Sequence, residues 1–600
     1  MASFRALLAL SAPLFLTQPA ASQAFSWSSW SQDSFGRAKA EKRLVLLDLE
    51  AVWCHWCHVM EAVTYGDPNV AALIGDHFVA IRADQDASPE LSSRYGDWGW
   101  PATIILAADG TELAKLRGFI EPDKLAALLK AFVDDPTPGP SAFSIEDVAP
   151  APEGLLGAPA RAAMKKAVDQ SFDSAHGGWG RGHRYIDADS LDLAMVQAEA
   201  GDGDAAARAR KTLDAARALI DPVWGGVYQY SDKDDWSSPH FEKLMAFQGQ
   251  YLRQYSEAFS RWRDPADLAA AMAIKAYMAT VLRDPQGGFY VSQDADLDAR
   301  TDGHAFYALD DSGRRRLGVP RIDKAIYASA NGAAISGLAA FFDAAGDRQA
   351  LDMAVDAAQW IKAHRAIEGG GFSHSEHESD GPFLADNLAM GQAFIDLYAA
   401  TGERSWLRDA AATGRFIAAH FREQSGGFAP AAAGAVPVGA LSRPIRQLDD
   451  QIAVARFMNR LNRYTGDKDF AALADHAMRY AIASARETER PLPGLLLADH
   501  ELSHAPTHIT VVGPKDDDRA RELGAQARAF PALYKRLDWW DTREGPLPNP
   551  DITYPEMDQP AAFACGDRIC SLPAFTAAQL KSAVERMARL GQSPNAPAVR

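Results

Sequence analysis

The stretch VWCHWCHVME, Val52–Glu61, decides how the first part of the chain is read. Two cysteines stand two residues apart, each followed by a histidine, with tryptophans on both sides of Cys54. The preceding run RLVLLDLE (Arg43–Glu50) is apolar and predicts a buried strand, while HVMEAVTYG after Cys57 has helical character. Cys54 therefore falls where a strand hands over to a helix N-terminus. Free N–H groups and the positive end of the helix dipole stabilise a thiolate there. A redox dithiol, a structural disulfide and a metal site all use these residue types. Cys54, His55, Cys57 and His58 lie on one helical turn and cannot close a tetrahedron, and structural sites usually draw on two separated segments, so no metal is expected. The structural-disulfide reading rests on the tryptophans, which restrict access to Cys54.

Working outward, HFVAIRAD (His77–Asp84) predicts a second strand, and GWPATIIL (Gly99–Leu106) a third, introduced by Trp100-Pro101. AADG (Ala107–Gly110) is a hairpin turn with an Asp-Gly pair suited to positive φ, and TELAKLRGF returns as a fourth strand. EPDKLAALLKAF (Glu121–Phe132) is an amphipathic helix with Pro122 near its start. The order β-α-β, Pro, β-β-α, with CxxC at the first strand-to-helix junction, resembles thioredoxin. Together with WSSWSQDSFGRAKAEKRLVLLDL (Trp27–Leu49) and WPATIIL, CHWCHVME resembles the N-terminal domain of the spermatogenesis-associated protein 20-like family. That resemblance implies a thioredoxin-like domain joined to an α/α toroid. Carried over by position, it implies Cys54 as attacking thiol, Cys57 as resolving thiol and Pro101 as a cis-proline facing them.

DDPTPGPSAFSIEDVAPAPEG (Asp134–Gly154) is proline-rich and aperiodic, a semi-extended linker. Beyond it helical periodicity dominates, punctuated by a repeat: a double glycine followed by an aromatic or apolar residue at Gly177, Gly225, Gly287, Gly370 and Gly426, with a degenerate PGL at Gly494. Between these fall helix stops near Gly201, Gly346, Gly402 and Gly466, each Gly followed by an acidic residue able to start the next helix; RWRDP (Arg261–Pro265) serves the remaining unit. Six amphipathic helix pairs predict an (α/α)6 toroid, and their uneven spacing argues against a linear solenoid. The fold class expected is multidomain: an N-terminal α/β thioredoxin-like fold (25–133), a linker (134–156), an all-α (α/α)6 six-hairpin toroid (157–500) and a small C-terminal α/β lobe (501–600).

In a closed ring the glycine loops share one rim, so residues after them converge. WGGVYQYSDKDDWSSPHFEK contributes Trp224, Tyr230, His240 and Glu242; GGFYVSQDADLDARTDGHAFY contributes Tyr290, Asp294 and Asp296. Asp386 comes from GGGFSHSEHESDGPFLADN and Asp450 from RQLDDQ. Aromatics stack on sugar rings, and carboxylates bind hydroxyls or carry glycosidic proton transfer. These loops resemble the family's blocks around PHFEK, GGFY…DAD and ANG (Ala330–Gly332), and the toroid is similar to six-hairpin glycosidases and N-acylglucosamine epimerases. The competing reading is that an Asp after a glycine loop caps its own helix.

The ends and the composition complete the reading. THITVVGP (Thr507–Pro514) is a strand, DDDRARELGAQARAF (Asp516–Phe530) a helix, AAFACG (Ala561–Gly566) a strand, and TAAQLKSAVERMARL (Thr576–Leu590) a helix opened by Thr576 and Gln579. The four cysteines pair locally by spacing, Cys54–Cys57 and Cys565–Cys570, with exchange between the pairs as a sharper possibility. ALLALSAPLFL (Ala6–Leu16) after Arg5, with Ser22-Gln23-Ala24 behind it, reads as an export signal cleaved after Ala24, placing the mature chain in the periplasm or outside the cell. No other stretch is long and apolar enough to span a bilayer, so no membrane insertion is expected after cleavage. Net charge −18, from 61 basic and 79 acidic residues, argues against nucleic acid. No nucleotide-binding loop or cofactor signature is present. Two functions follow: an exported thiol–disulfide oxidoreductase whose toroid binds a glycan or a partner protein, or a carbohydrate-active toroid with a structural thioredoxin-like domain.

Overall fold

The computed structural model describes residues 25–142, 148–298, 301, 303–376, 381–432, 438–442, 444–566 and 569–591; the expected export signal lies outside them. The first domain is thioredoxin-like. Helix α1 (Gln32–Glu41) leads into β1 (Leu44–Glu50), then α2 (His55–Val59), which continues as a π-helical turn to Tyr65, α3 (Pro68–His77), β2 (Phe78–Asp84) and α4 (Pro89–Tyr95). Strands β3 (Ala102–Leu106) and β4 (Glu112–Arg117) and helix α5 (Pro122–Asp134) follow. The sheet order is β2-β1-β3-β4, with β1 parallel to β2 and antiparallel to β3. Val45, Leu47 and Leu49 face one core and Leu46 the other, the two-sided burial that a continuous apolar run requires.

The C-terminal part of the expected linker is docked on the toroid: Ala151 N donates to Arg479 O, and Leu156 is buried in the toroid core. The toroid has six inner helices, α7 (Ala188–Glu199), α9 (Met245–Trp262), α13 (Ala328–Ala345), α15 (Leu384–Thr401), α17 (Leu448–Thr465) and α19 (Pro493–Ser503). Outside them lie α8 (Gly203–Ala216), α10 (Pro265–Thr280), α14 (Arg348–His364), α16 (Arg404–His420), α18 (Lys468–Ser484) and α6 (Ala158–Ser171). Short helices α11 (Gly303–Tyr307) and α12 (Asp311–Leu317) sit in the long third loop. The inner helices contact one another in sequence from α9 to α19, and α19 returns to α7. Arg253 of α9 and Asp192 of α7, 2.8 Å apart, join the remaining neighbours.

The punctuation has a physical basis. Gly346, Gly402 and Gly466 take φ near +70° at the ends of inner helices, and Asp202, Asp264, Asp347 and Asp467 cap the outer helices that follow. The double glycines at 177, 225 and 426 are in the left-handed region at both positions; in the run at 369–371 Gly369 and Gly370 take it, and in the pair at 287 only Gly287 has positive φ. One device was not read from the sequence: a buried amide on the next inner helix clamps the backbone just after the glycines. Gln248 holds Val227, Asn331 holds Phe289, Asn387 holds Phe372 and Gln451 holds Phe428, each through both N–H and C=O. Gly494 differs from the other glycine sites, lying inside the first turn of α19.

The C-terminal lobe is a three-stranded sheet of order β6-β5-β7: β5 (Thr507–Val512), β6 (Lys535–Trp540) and β7 (Ala561–Cys565). Helices α20 (Asp518–Arg528) and α21 (Ala577–Gly591) cover it. Strand β6, KRLDWW, escaped the sequence reading because its charges look exposed. Arg536 and Asp538 are buried instead, with Arg536 and His508 both on Asp538 at 2.7 and 2.9 Å.

Candidate functional site

Helix α2 starts directly after β1, with Cys54 as its N-cap and its Sγ 3.1 Å from Cys57 N. Cys54 and Cys57 are bridged, as are Cys565 and Cys570. The Trp100-Pro101 peptide is cis and leads into β3. Trp53 donates its indole N–H to Asp86 and meets Trp100 edge to face. Both sulfurs are nearly sealed: Cys54 and Cys57 are each 3% exposed, packed with Trp53, Trp100 and the toroid residues Leu244 and Phe247.

The thioredoxin-like domain sits on the rim formed by the N-termini of the inner helices, and the motif's two histidines reach across. His55 Nδ1 lies 2.9 and 3.1 Å from the two oxygens of Asp296. His58 Nδ1 is 3.3 Å from Asp296, and its Nε2 is 3.8 Å from Asp294. His55 N donates to Glu242, and Ala295 N to Trp53 O. Farther round the rim, His374 spans the seam between Asp386 and the Asp86 carbonyl, and Gln447 donates to Ser93 O.

Electrostatics follow from this packing. Hydrogen bonds to Asp296 raise both imidazoles above their usual value against the opposing effect of burial. Burial also works to raise Asp296, but the two histidines outweigh it and hold the carboxyl at about 2. Asp294, for which burial wins, rises to about 6, and Glu242 to about 7 for the same reason. Oxygen Oε2 of Glu242 is buried without a hydrogen-bond partner among the described residues.

Of the residues expected around a shared rim, Tyr230, His240, Glu242, Asp294 and Asp296 gather beside α2; Tyr230 stacks on His240 at 4.3 Å. The others are spread out. Trp224 donates to Asp311, Tyr290 to Asp284, and Asp386 caps α13 through Ser329 N while holding His374. Asp450 stands at the start of α17 beside Asp449, with its carboxyl raised to about 6 by burial.

Sequence reasoning missed what fills the ring. Arg253, Glu257 and Arg261 recur at i, i+4 and i+8 on α9, and Arg456 and Arg460 on α17, pairing inward with Asp192, Glu199, Glu501 and Asp396. Charges at helical spacing on an otherwise apolar inner face were the available signal. At the opposite mouth the C-terminal lobe inserts Arg528, Phe530 and Lys535, leaving a cavity of about 120 Å³. Cys54–Cys57 thus lies at one rim and the lobe that carries Cys565–Cys570 at the other, with inner helices such as α13, 18 residues and roughly 27 Å long, running between the rims.

The architecture defines a thioredoxin-like domain docked on a six-hairpin toroid. Residues 6–126 match the family described as Thioredox_DsbH, protein of unknown function, DUF255. The chain is similar to human (Homo sapiens) spermatogenesis-associated protein 20, 25% identical over 319 residues, covering 45% of this chain and 39% of that protein. A shorter stretch is 42% identical over 78 residues to thiol:disulfide interchange protein DsbD 2 of Pseudomonas aeruginosa, covering 12% of this chain and 13% of that protein. The chain thus spans less than half the length of the curated relatives it matches. Among solved structures, a cellobiose 2-epimerase from Bacillus thermoamylovorans aligns at 10% identity and TM-score 0.44, covering 57% of this chain and 98% of that one.

Proposed function

We propose that the protein is an exported thiol–disulfide oxidoreductase whose Cys54–Cys57 couple works at the seam between the thioredoxin-like domain and the toroid. The observation that carries this is the placement of Cys54 as N-cap of α2, where helix amides and dipole favour a thiolate, packed with Trp53 and Trp100. The similarity to DsbD 2 over one segment supports it. In the reductive direction the Cys54 thiolate attacks a substrate disulfide, forming a mixed disulfide and releasing one substrate thiolate. Cys57 then displaces the second, so the substrate is reduced by two electrons and the Cys54–Cys57 bridge forms. The reverse direction runs through the same mixed disulfide.

Because toroid residues cover the sulfurs, the toroid governs which substrates reach them: a folded partner gains access only when the seam opens. An N-terminal export signal and two disulfides fit an oxidising compartment. Exchange with oxidised glutathione tests the reading. The reduced protein should form a Cys54 mixed disulfide that accumulates in Cys57→Ser and is absent in Cys54→Ser; equal labelling of both variants would overturn it.

A second reading, a sugar-binding rim, is favoured by one observation: the stacked Tyr230–His240 pair stands beside Glu242 at the seam. Tyr230→Ala should then abolish protection of the rim by mono- or disaccharides in hydrogen exchange, and absence of protection in the wild type would exclude it.

A further inference from the structure

We propose that His58, Asp294 and Asp296 form a site for a divalent transition-metal ion of the zinc class, where the CxxC helix meets the toroid rim. One ligand atom from each residue lies within 4.8 Å of the others. Tetrahedral zinc with bonds of about 2.0–2.1 Å holds its ligand atoms ~3.3 Å apart. His58 Nδ1 and Asp296 Oδ2 already stand at 3.3 Å. Imidazole and carboxylate are donors that zinc accepts.

Two further features point to an ion. Glu242, 3% exposed, faces His55 and Asp296 and keeps oxygen Oε2 buried without a partner among the described residues. The seam gathers the carboxylates of Glu242, Asp294 and Asp296 around two imidazoles, with Arg321 the further cation acting on Asp294, and a dication would offset the cost of keeping these buried carboxylates ionised. His55, bonded to both oxygens of Asp296, fixes that carboxylate as outer partners of metal ligands do. The His58 side chain is 43% exposed, which gives the ion a path in. The ligands come from two domains, the separated segments that the CxxC turn alone cannot provide. A bound ion would tie the domains together above the dithiol.

The test uses the full chain, oxidised so that no thiolate competes, and stripped with chelator. Zn2+ is titrated calorimetrically and Co2+ by visible absorption. The wild type should bind one ion per chain with tetrahedral-type Co2+ bands. Asp296→Asn and His58→Gln should each weaken binding at least about tenfold. Cys54→Ser/Cys57→Ser should bind like the wild type. Zn2+ should raise the wild-type melting temperature but not that of Asp296→Asn or His58→Gln, each compared with its own metal-free melting, and far-UV circular dichroism of both variants should match the wild type and exclude misfolding. The proposal is overturned if the wild type binds no stoichiometric ion, if both variants bind normally, or if binding disappears in His500→Ala. The last outcome would place the ion on the stacked His500–His504 pair of α19 instead.

Discussion

Replacing Asn331 by leucine tests the amide clamp that holds a glycine loop to the next inner helix. Asn331 is fully buried; its Oδ1 accepts from Phe289 N at 2.9 Å, and its Nδ2 donates to Phe289 O at 3.0 Å and Tyr327 O at 2.9 Å. Leucine has similar volume but no polar atoms, so packing changes little while the Phe289 N–H loses its acceptor. Each buried group left unsatisfied costs about 1–3 kcal/mol, and an intact hydrogen bond contributes about 1 kcal/mol net. Loss of the clamp should therefore cost roughly 3–5 kcal/mol, since the Phe289 carbonyl also loses its donor. Asn331→Asp, nearly isosteric, should be at least as damaging: its acceptor oxygens would oppose two carbonyls. Because the chain is multidomain, one global transition is not assumed. Hydrogen exchange read by mass spectrometry on peptides around 282–293 and 328–345 gives the local opening energy. A loss below about 1 kcal/mol for Asn331→Leu, or a harmless Asn331→Asp, would refute the clamp as a stabilising element.

Other outcomes follow from the same geometry. At Gly337 a Cβ would stand 2.3 Å from Gly249 O, so Gly337→Ala should force α13 from α9 and cost about 1–3 kcal/mol, read as a lower melting temperature. Burial works to raise Asp538, but Arg536, His508 and Tyr398 outweigh it and hold the carboxyl at about 2, below its usual 3.8. A depressed folded value adds stability above the unfolded value that is lost as pH falls toward the folded one; Asp538 should contribute about 2 kcal/mol to the decline in stability of the C-terminal lobe between those two values, and the slope should be reduced in Asp538→Asn, the remainder coming from Asp541 and Asp516, which Arg543 holds low. Leu244→Ser uncovers the dithiol and should speed reduction of Cys54–Cys57 by dithiothreitol while leaving Cys565–Cys570 unchanged, quantified by trapping and mass spectrometry. Equal rates in wild type and variant would show that Leu244 does not control access.

Much of the fold was legible because its signals are local. The Leu-Val run before Cys54, the Pro101 junction and the Asp-Gly turn each act within a few residues, and glycines at positive φ with Asp caps mark helix ends by short-range sterics and hydrogen bonding. The site was only half legible. Glu242, Asp294 and Asp296 were singled out as rim residues, yet their partner His55 is 241 positions from Asp296, and no local pattern records such a contact. The amide clamps were hidden for the same reason, and β6 because paired burial of Arg536 and Asp538 looks like surface charge in sequence.

The central claim, a dithiol poised for exchange at a domain seam, is tested most directly by titrating the protein in glutathione redox buffers and quantifying each cysteine pair separately. The account predicts a Cys54–Cys57 potential between roughly −120 and −270 mV, in the range of exchange catalysts. A value below roughly −300 mV, or no reduction at all, would contradict it and leave the bridge a structural staple.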